Sequence, residues 1–310
     1  MEERSHNSNN SHRLLRGSNS ALKSKEKGQL IVKLCAFLII ISTISITVFL
    51  GYKGLQSFIA FDANPLTFLT SINWEPGSNA SEGGYGALPF IIGSFAVTFL
   101  AALVAAPIGI ASAIFMTEIA KKYGQKVLQP VIEILVGIPS VVYGLIGVTV
   151  IVPIIRQYIG GLGFSLIAGT IVVGVMILPT VTSISADAIK SIPAEMKNAS
   201  YALGATRWQT IYRVIIPAAL PSLMTAIVFG MARAFGEALA VQMVIGNSTA
   251  IPQSLLDQTA TLTSIITLGM PHTTYGSFHN NLLWSLGLIL LIMSYVFIIF
   301  VRYLSSRRKI

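Results

Sequence analysis

Charge is scarce in this 310-residue chain: 11% of its residues are Asp, Glu, Lys or Arg, with 12 acids against 21 bases. A soluble domain ordinarily carries about 25% charged residues, so this composition excludes that class. Cysteine is scarcer still. Cys35 stands alone in an apolar run, which leaves no intramolecular disulfide framework and no cysteine cluster for a metal. The chain has 4 histidines, and His272 and His279 lie in a polar stretch at a spacing that suits loop residues better than a ligand pair. No GxxxxGK[ST], HExxH or GxSxG stretch occurs, so the sequence supplies no phosphate loop, zinc-protease helix or nucleophile elbow. A nucleophile–base or metal set for an intramembrane enzyme is also missing.

What is present is apolar. Hydrophobic residues make up 53% of the chain and the mean hydropathy is +0.73, the composition of an all-α polytopic membrane protein. Stretches at 30–50, 88–116, 131–155, 164–184, 217–244 and 282–303 each hold enough apolar residues to cross a bilayer, giving six expected spans. Residues 1–28, rich in Ser, Asn, Lys and Arg, have almost nothing to bury and read as a disordered basic tail; 29–310 read as the membrane domain. The first apolar run is too long for a signal peptide and lacks a small-residue cleavage site, so it reads as a retained span. Lys23, Lys25, Lys27, Lys33, Lys121, Lys122 and Lys126, the 191–213 segment and the bases after Arg302 all fall on one side of these spans. The opposite connections carry Lys53 and Arg156. The net charge of +9 is therefore read as topology and not as a nucleic-acid surface, with both termini and the 191–213 segment cytoplasmic. The long connections 51–87 and 246–281, rich in Gly, Asn, Ser, Thr and Pro, then form an outer face suited to a partner, and 255–268 contain a short helix on or in the membrane.

Two stretches carry the functional reading. In 191–213, Ser191 can cap a helix with Pro193 in its first turn, Gly204 supplies the left-handed residue that ends it, and Thr206 with Gln209 forms a capping box for the next helix. Trp208, Ile211, Tyr212 and Ile215 fall on one face of that second helix. This helix, turn and helix read as a docking element; a solvated loop is the plainer alternative. The run 220–244 can span a bilayer yet holds Arg233 and Glu237, four residues apart and expected on one helix face, where each offsets the other's charge. Ala226, Gly230, Gly236 and Ala240 leave room beside them, as a pathway requires; an ion pair that pins helix packing is the other reading. In 131–155, Gly137, Pro139, Ser140, Tyr143, Gly144 and Gly147 interrupt the helix, making this span a second wall of the pathway or else a kinked packing helix, with Glu133 structural in its first turn.

The run Asn198, Ala199, Ser200, three residues, Gly204, nine residues, then Val214, Ile215, Ile216 and Pro217 resembles the EAA motif of ABC importer permeases, with Asn198 where the motif has Glu. The stretches YGALPFIIGSFAVT (85–98), PIGIASAIFMTE (107–118), VIEILVGIPSVVYG (131–144) and RAFGEALAV (233–241) look like those of phosphate-specific permeases of the PstC type, and the likeness runs from about residue 30 onward. The resemblance implies a type I importer fold. It also implies partners: a dimer of cytoplasmic ABC ATPases holding the ATP and Mg, a PstA-type sister permease, a phosphate-binding protein outside the cell membrane, and lipid around the spans. This chain itself would bind no cofactor and catalyse no reaction. The helix before Gly204 would be the coupling helix, with Asn198, Ala199, Ser200, Gly204 and Pro217 in the coupling segment. Arg233 and Glu237, with Ser140 and Tyr143 opposite, would line the substrate path. Other readings are a molybdate or sulfate permease, the PstA role, or a non-transporting sensor or scaffold.

Overall fold

The computed structural model describes residues 3–306 and divides the chain into two units, Met1–Tyr52 and Lys53–Ile310. The first unit is helical. Helix α1 spans Glu3–Ala60. Between Glu3 and Gly28 no proline interrupts the chain, and adding a turn to a helix that already exists needs no new nucleation. Within its apolar part, Gly28–Ala60, an 18-residue stretch reaches a mean hydropathy of 2.5.

The second unit contains the end of α1 and the remaining elements: α2 (Pro65–Thr70), a hairpin of β1 (Trp74–Glu75) and β2 (Gly84–Tyr85), then α3 (Leu88–Ile114), α4 (Gln129–Gly137), α5 (Ser140–Ile159), α6 (Leu166–Lys190), α7 (Ala194–Ala202), α8 (Arg207–Phe235), α9 (Leu239–Val244), α10 (Leu262–Gly269) and α11 (Phe278–Ser306). Six helices among the described residues are long and apolar enough to cross a membrane. Two spans are interrupted within their expected bounds. The third begins at Ser140, because Ile138 (ψ 127°) and Pro139 (ψ 141°) are extended and separate it from α4. The fifth runs from Arg207 and stops at Phe235, nine residues before the expected end, because Gly236 closes it.

Helices α3, α6 and α8 form the centre of the unit. Ala101, Ala105, Gly109 and Ala113 recur every fourth residue along α3 and are all buried, so the backbones approach closely, as small residues allow in lipid. At Gly109 an added Cβ would meet Val181 of α6 at 3.0 Å, and at Gly230 of α8 it would meet the same valine at 2.7 Å. Val181 thus fills the space that both glycines leave.

One end of the bundle is closed by residues 61–87 and 246–277. Asn64 caps α2, accepting from the Leu66 amide at 2.8 Å; Trp74 pairs with Tyr85; and Phe68, Phe90, Leu262, Phe278 and Leu282 form a buried cluster there. Ser57 and Ser285 share a buried hydrogen bond of 2.6 Å, and Ser285 donates to the Gly54 carbonyl, which fastens the last turns of α1 to α11. Of the expected helix at 255–268, the part from Leu262 on is helical. Residues 255–257 instead give carbonyls to the free amides at the start of α6: Leu166 to Asp257 and Ile167 to Leu255, each 2.9 Å.

Gly93 of α3 packs directly beneath the Ala260 carbonyl, a contact a side chain would occupy. Gly93→Val is expected to force α3 from the 259–261 segment at a cost of about 1–3 kcal/mol, read as a lower melting temperature in detergent, whereas Gly51→Val, where nothing lies within 4 Å, should melt close to the parent.

Candidate functional site

The charged pair sits at a helix break, and the two residues do different things. Helix α8 ends at Phe235; Gly236 follows with φ −86° and ψ −1°, and the chain turns through Glu237 and Ala238 before α9 begins. Arg233, in the last turn, donates from Nη1 to Thr180 Oγ1 of α6 at 3.0 Å. Glu237 Oε1 accepts the Ala240 amide at 3.1 Å, so the carboxylate serves one of the free amides at the start of α9, where the helix dipole favours negative charge. Arg233 and Glu237 make no ion pair among the described residues, and they do not share a helix face; both expectations are corrected. Gly is a poor helix former, and once it stops α8 the regular four-residue spacing no longer sets the geometry. The Arg233 guanidinium has five N–H donors, and the hydrogen bond found for it among the described residues uses one.

The second interrupted span lies against the first. Tyr143 of α5 is buried and donates to the Leu135 carbonyl at 2.8 Å, a group that the break at Ile138 and Pro139 deprives of its helical partner. Helix α9 packs on α5 through glycines: a Cβ at Gly144 would meet the Ala240 Cα at 3.1 Å, and one at Gly147 would meet Val244 at 2.5 Å. Ser140 is half-buried at the first position of α5, and no described hydrogen bond joins it to Arg233 or Glu237.

Sequence reasoning missed the groups that hold the break in place. Thr180 is the acceptor for Arg233, and Thr263 of α10 donates to the Glu237 carbonyl at 2.7 Å. Behind Thr263, Thr261 and Ser264 form a capping box, and Ser94 of α3 accepts the Leu262 amide at 2.9 Å. Nothing local set Thr180 apart, since Thr170, Thr182, Ser183 and Ser185 lie in the same helix.

At the opposite end of the unit, the 191–213 segment is helix, turn and helix. Ser191 closes α6, its Oγ donating to the Ala188 carbonyl at 2.8 Å, and Pro193 stands at the N-cap position of α7, two residues after the expected cap. Gly204 has φ +80°, and Thr206 and Gln209 form the expected box, 2.8 Å and 3.3 Å. The predicted apolar face divides in two. Ile211 and Ile215 are 3% and 0% exposed in a core cluster, whereas Trp208 and Tyr212 are 66% and 65% exposed. Asn198 and Ala199 are exposed on α7, Ser200 shares a 3.0 Å hydrogen bond with Thr210, and Pro217 stands in the first turn of the membrane-entering part of α8.

Residues 105–310 match the family described as binding-protein-dependent transport system inner membrane component. The chain is 62% identical to the Bacillus subtilis protein named "Probable ABC transporter permease protein YqgH", over 97% of each chain. It is 30% identical to the phosphate transport system permease protein PstC of Mesorhizobium japonicum, over 87% of this chain and 86% of that one. Among solved structures, a bacterial ABC transporter involved in the import of the acidic polysaccharide alginate superposes with a TM-score of 0.61 at 15% identity, covering 91% of this chain and 95% of that one. The MetNI methionine ABC transporter in an inward-facing conformation gives 0.54 at 18% identity, covering 69% and 92%.

If the Glu237 carboxylate caps α9, Glu237→Ala should cost that helix about 1 kcal/mol, while Glu237→Gln keeps an oxygen acceptor and most of the effect. Hydrogen–deuterium exchange across 239–244 is the measurement: about fivefold faster exchange in the Ala variant and little change in the Gln variant.

Proposed function

This chain belongs to the family of binding-protein-dependent transport system inner membrane components, as an ABC importer permease of the PstC type, and we propose that the ion it passes is inorganic phosphate. Permeases of this kind are not themselves the ATPase; they work with separate ATPase subunits and a substrate-binding protein. The observation that carries the substrate reading is Arg233. Its guanidinium is half-buried at a break between two interrupted spans, anchored by one hydrogen bond to Thr180, with donors left over. A planar fork of N–H groups can give two parallel hydrogen bonds to the oxygens of a tetrahedral oxyanion. Similarity to PstC proteins favours phosphate among oxyanions.

In this reading the anion exchanges part of its hydration shell for Arg233 donors, and Tyr143 and Ser140 line the facing wall. The negative charge of Glu237 keeps the contact weak enough for release, since a conducting site must bind and let go. The α8–α9 break can open or close at small cost because its backbone groups are held by side chains and not by a continuous helical ladder.

The bases set the orientation. Lys121, Lys122 and Lys126, with Lys190, Lys197, Arg207 and Arg213, lie at the end opposite the 61–87 and 246–277 connections, so that end faces the cytoplasm, with both termini on that side. Helix α7, with Asn198, Ala199 and Ser200, is then the coupling helix that seats in the ATPase; Gly204 sets its angle to α8, and the exposed Trp208 and Tyr212 extend the docking surface. The ATPase dimer holds ATP and Mg, a PstA-type sister completes the pore, and the opposite face receives the loaded binding protein.

The test is ATP-driven uptake of labelled phosphate by vesicles holding the chain with its ATPase, sister permease and binding protein, with sulfate and molybdate as competitors. Uptake blocked only by phosphate is expected, and Arg233→Gln should lower it by about tenfold or more, the scale of losing a charged hydrogen bond of 1.5–3 kcal/mol. Uptake of a different oxyanion would discard phosphate. Undiminished flux in Arg233→Gln would remove that residue from the path.

A further inference from the structure

Helix α7 buries no residue of its own, so apolar packing does not hold it to the spans. Two polar contacts do. One is the hydrogen bond between Ser200 and Thr210. The other is an ion pair between Lys197 Nζ and Glu118 Oε1 at 2.5 Å, with the Lys197 side chain 16% and the Glu118 side chain 6% exposed. Glu118 belongs to the widened π-helical turn Phe115–Ile119 that ends the second span, just before Ala120 leaves helical geometry at φ −122° and ψ 56°. The same carboxylate has a second neighbour: Oε2 lies 3.9 Å from Nζ of Lys121, whose side chain is 65% exposed. One buried acid therefore faces two lysines, one close and enclosed, the other looser and in water.

We propose that Glu118 is a positioning residue that carries displacement of α7 into the second span, and that Lys121 is an alternate partner that keeps the carboxylate paired when Lys197 moves. The inference rests on the reading of α7 as the element that meets the ATPase. A carboxylate this enclosed is costly to leave without a counter-charge. With a lysine near each oxygen, a shift of α7 exchanges one paired state for another and never passes through an isolated buried charge. Displacement of Glu118 is then displacement of the end of α3. Helix α3 packs along α6 through its small-residue stripe, and α6 carries Thr180, the acceptor for Arg233. Movement at the docking end thus reaches the charged break through packed elements with defined contacts.

The experiment uses the complete complex in vesicles: this chain, its ATPase, the sister permease and a binding protein loaded with inorganic phosphate. The readout is the ratio of ATP hydrolysis with loaded binding protein to hydrolysis without it. Lys197→Met should lower the ratio about tenfold, part of the full penalty being absorbed by Lys121. The exchanged triad, Glu118→Lys with Lys197→Glu and Lys121→Glu, should return the ratio to within about twofold of the parent. The exchange keeps both pairings, with their signs reversed, so it decides the question even if Lys197→Met fails to assemble. Lys121→Met combined with Lys197→Met should lose more than the product of the two single losses, because both lysines serve one carboxylate. An unchanged ratio in Lys197→Met, or an exchanged triad no better than Lys197→Met alone, overturns the proposal. Ala199→Trp, on the exposed side of α7, separates it from the docking reading. If Ala199→Trp abolishes stimulation and Lys197→Met leaves it intact, docking stands and the Glu118 role falls; if neither changes it, both fall.

Discussion

A backbone N–H or C=O without a partner in hydrocarbon costs several kcal/mol, and every interruption of a spanning helix creates such groups. This molecule places two interruptions side by side and supplies each with side-chain partners. The Tyr143 phenol takes up the Leu135 carbonyl before the third span, the Glu237 carboxylate takes up the Ala240 amide after the fifth, and Thr263 gives a hydrogen to the Glu237 carbonyl. Arg233 stands at the join with its donors only partly used. The breaks are satisfied locally, and their satisfaction does not consume the guanidinium.

That arrangement needs a rigid frame. The α3, α6 and α8 helices provide it through close backbone approach and not through bulky interdigitation, with Ala101, Ala105 and Gly109 on one side and Val181 between Gly109 and Gly230 on the other. Hydrophobic burial does little between helices in lipid, so contact quality carries the load. Polar fasteners then fix what packing leaves loose: Ser57 with Ser285, Ser94 with the Leu262 amide, and Glu118 with Lys197.

Much of this could be read from residues alone, and the exceptions share a cause. The spans, the Gly204 turn and the Thr206–Gln209 box were legible because hydropathy, left-handed backbone and capping are local properties of a short stretch. The Arg233–Glu237 pairing was misread because a periodicity argument assumes an unbroken helix, and Gly236 breaks it. Thr180, Thr263 and Glu118 were invisible as site residues because each acts on a group far away in the chain, 53 residues for Thr180 and 79 for Glu118. No local pattern encodes such a contact.

Gly204 has a positive φ, yet a Cβ placed on it would meet nothing within 4 Å. The requirement there is one of handedness and not of volume. An L-side chain is disfavoured by its own backbone, by about 1–2 kcal/mol, whereas a D-residue of any modest size would have the space to sit there at ease. The joint between α7 and α8 is therefore closed to substitution by the chirality of ordinary amino acids while remaining open to solvent, so nothing packed against the turn would need to move for the two helices to change their angle.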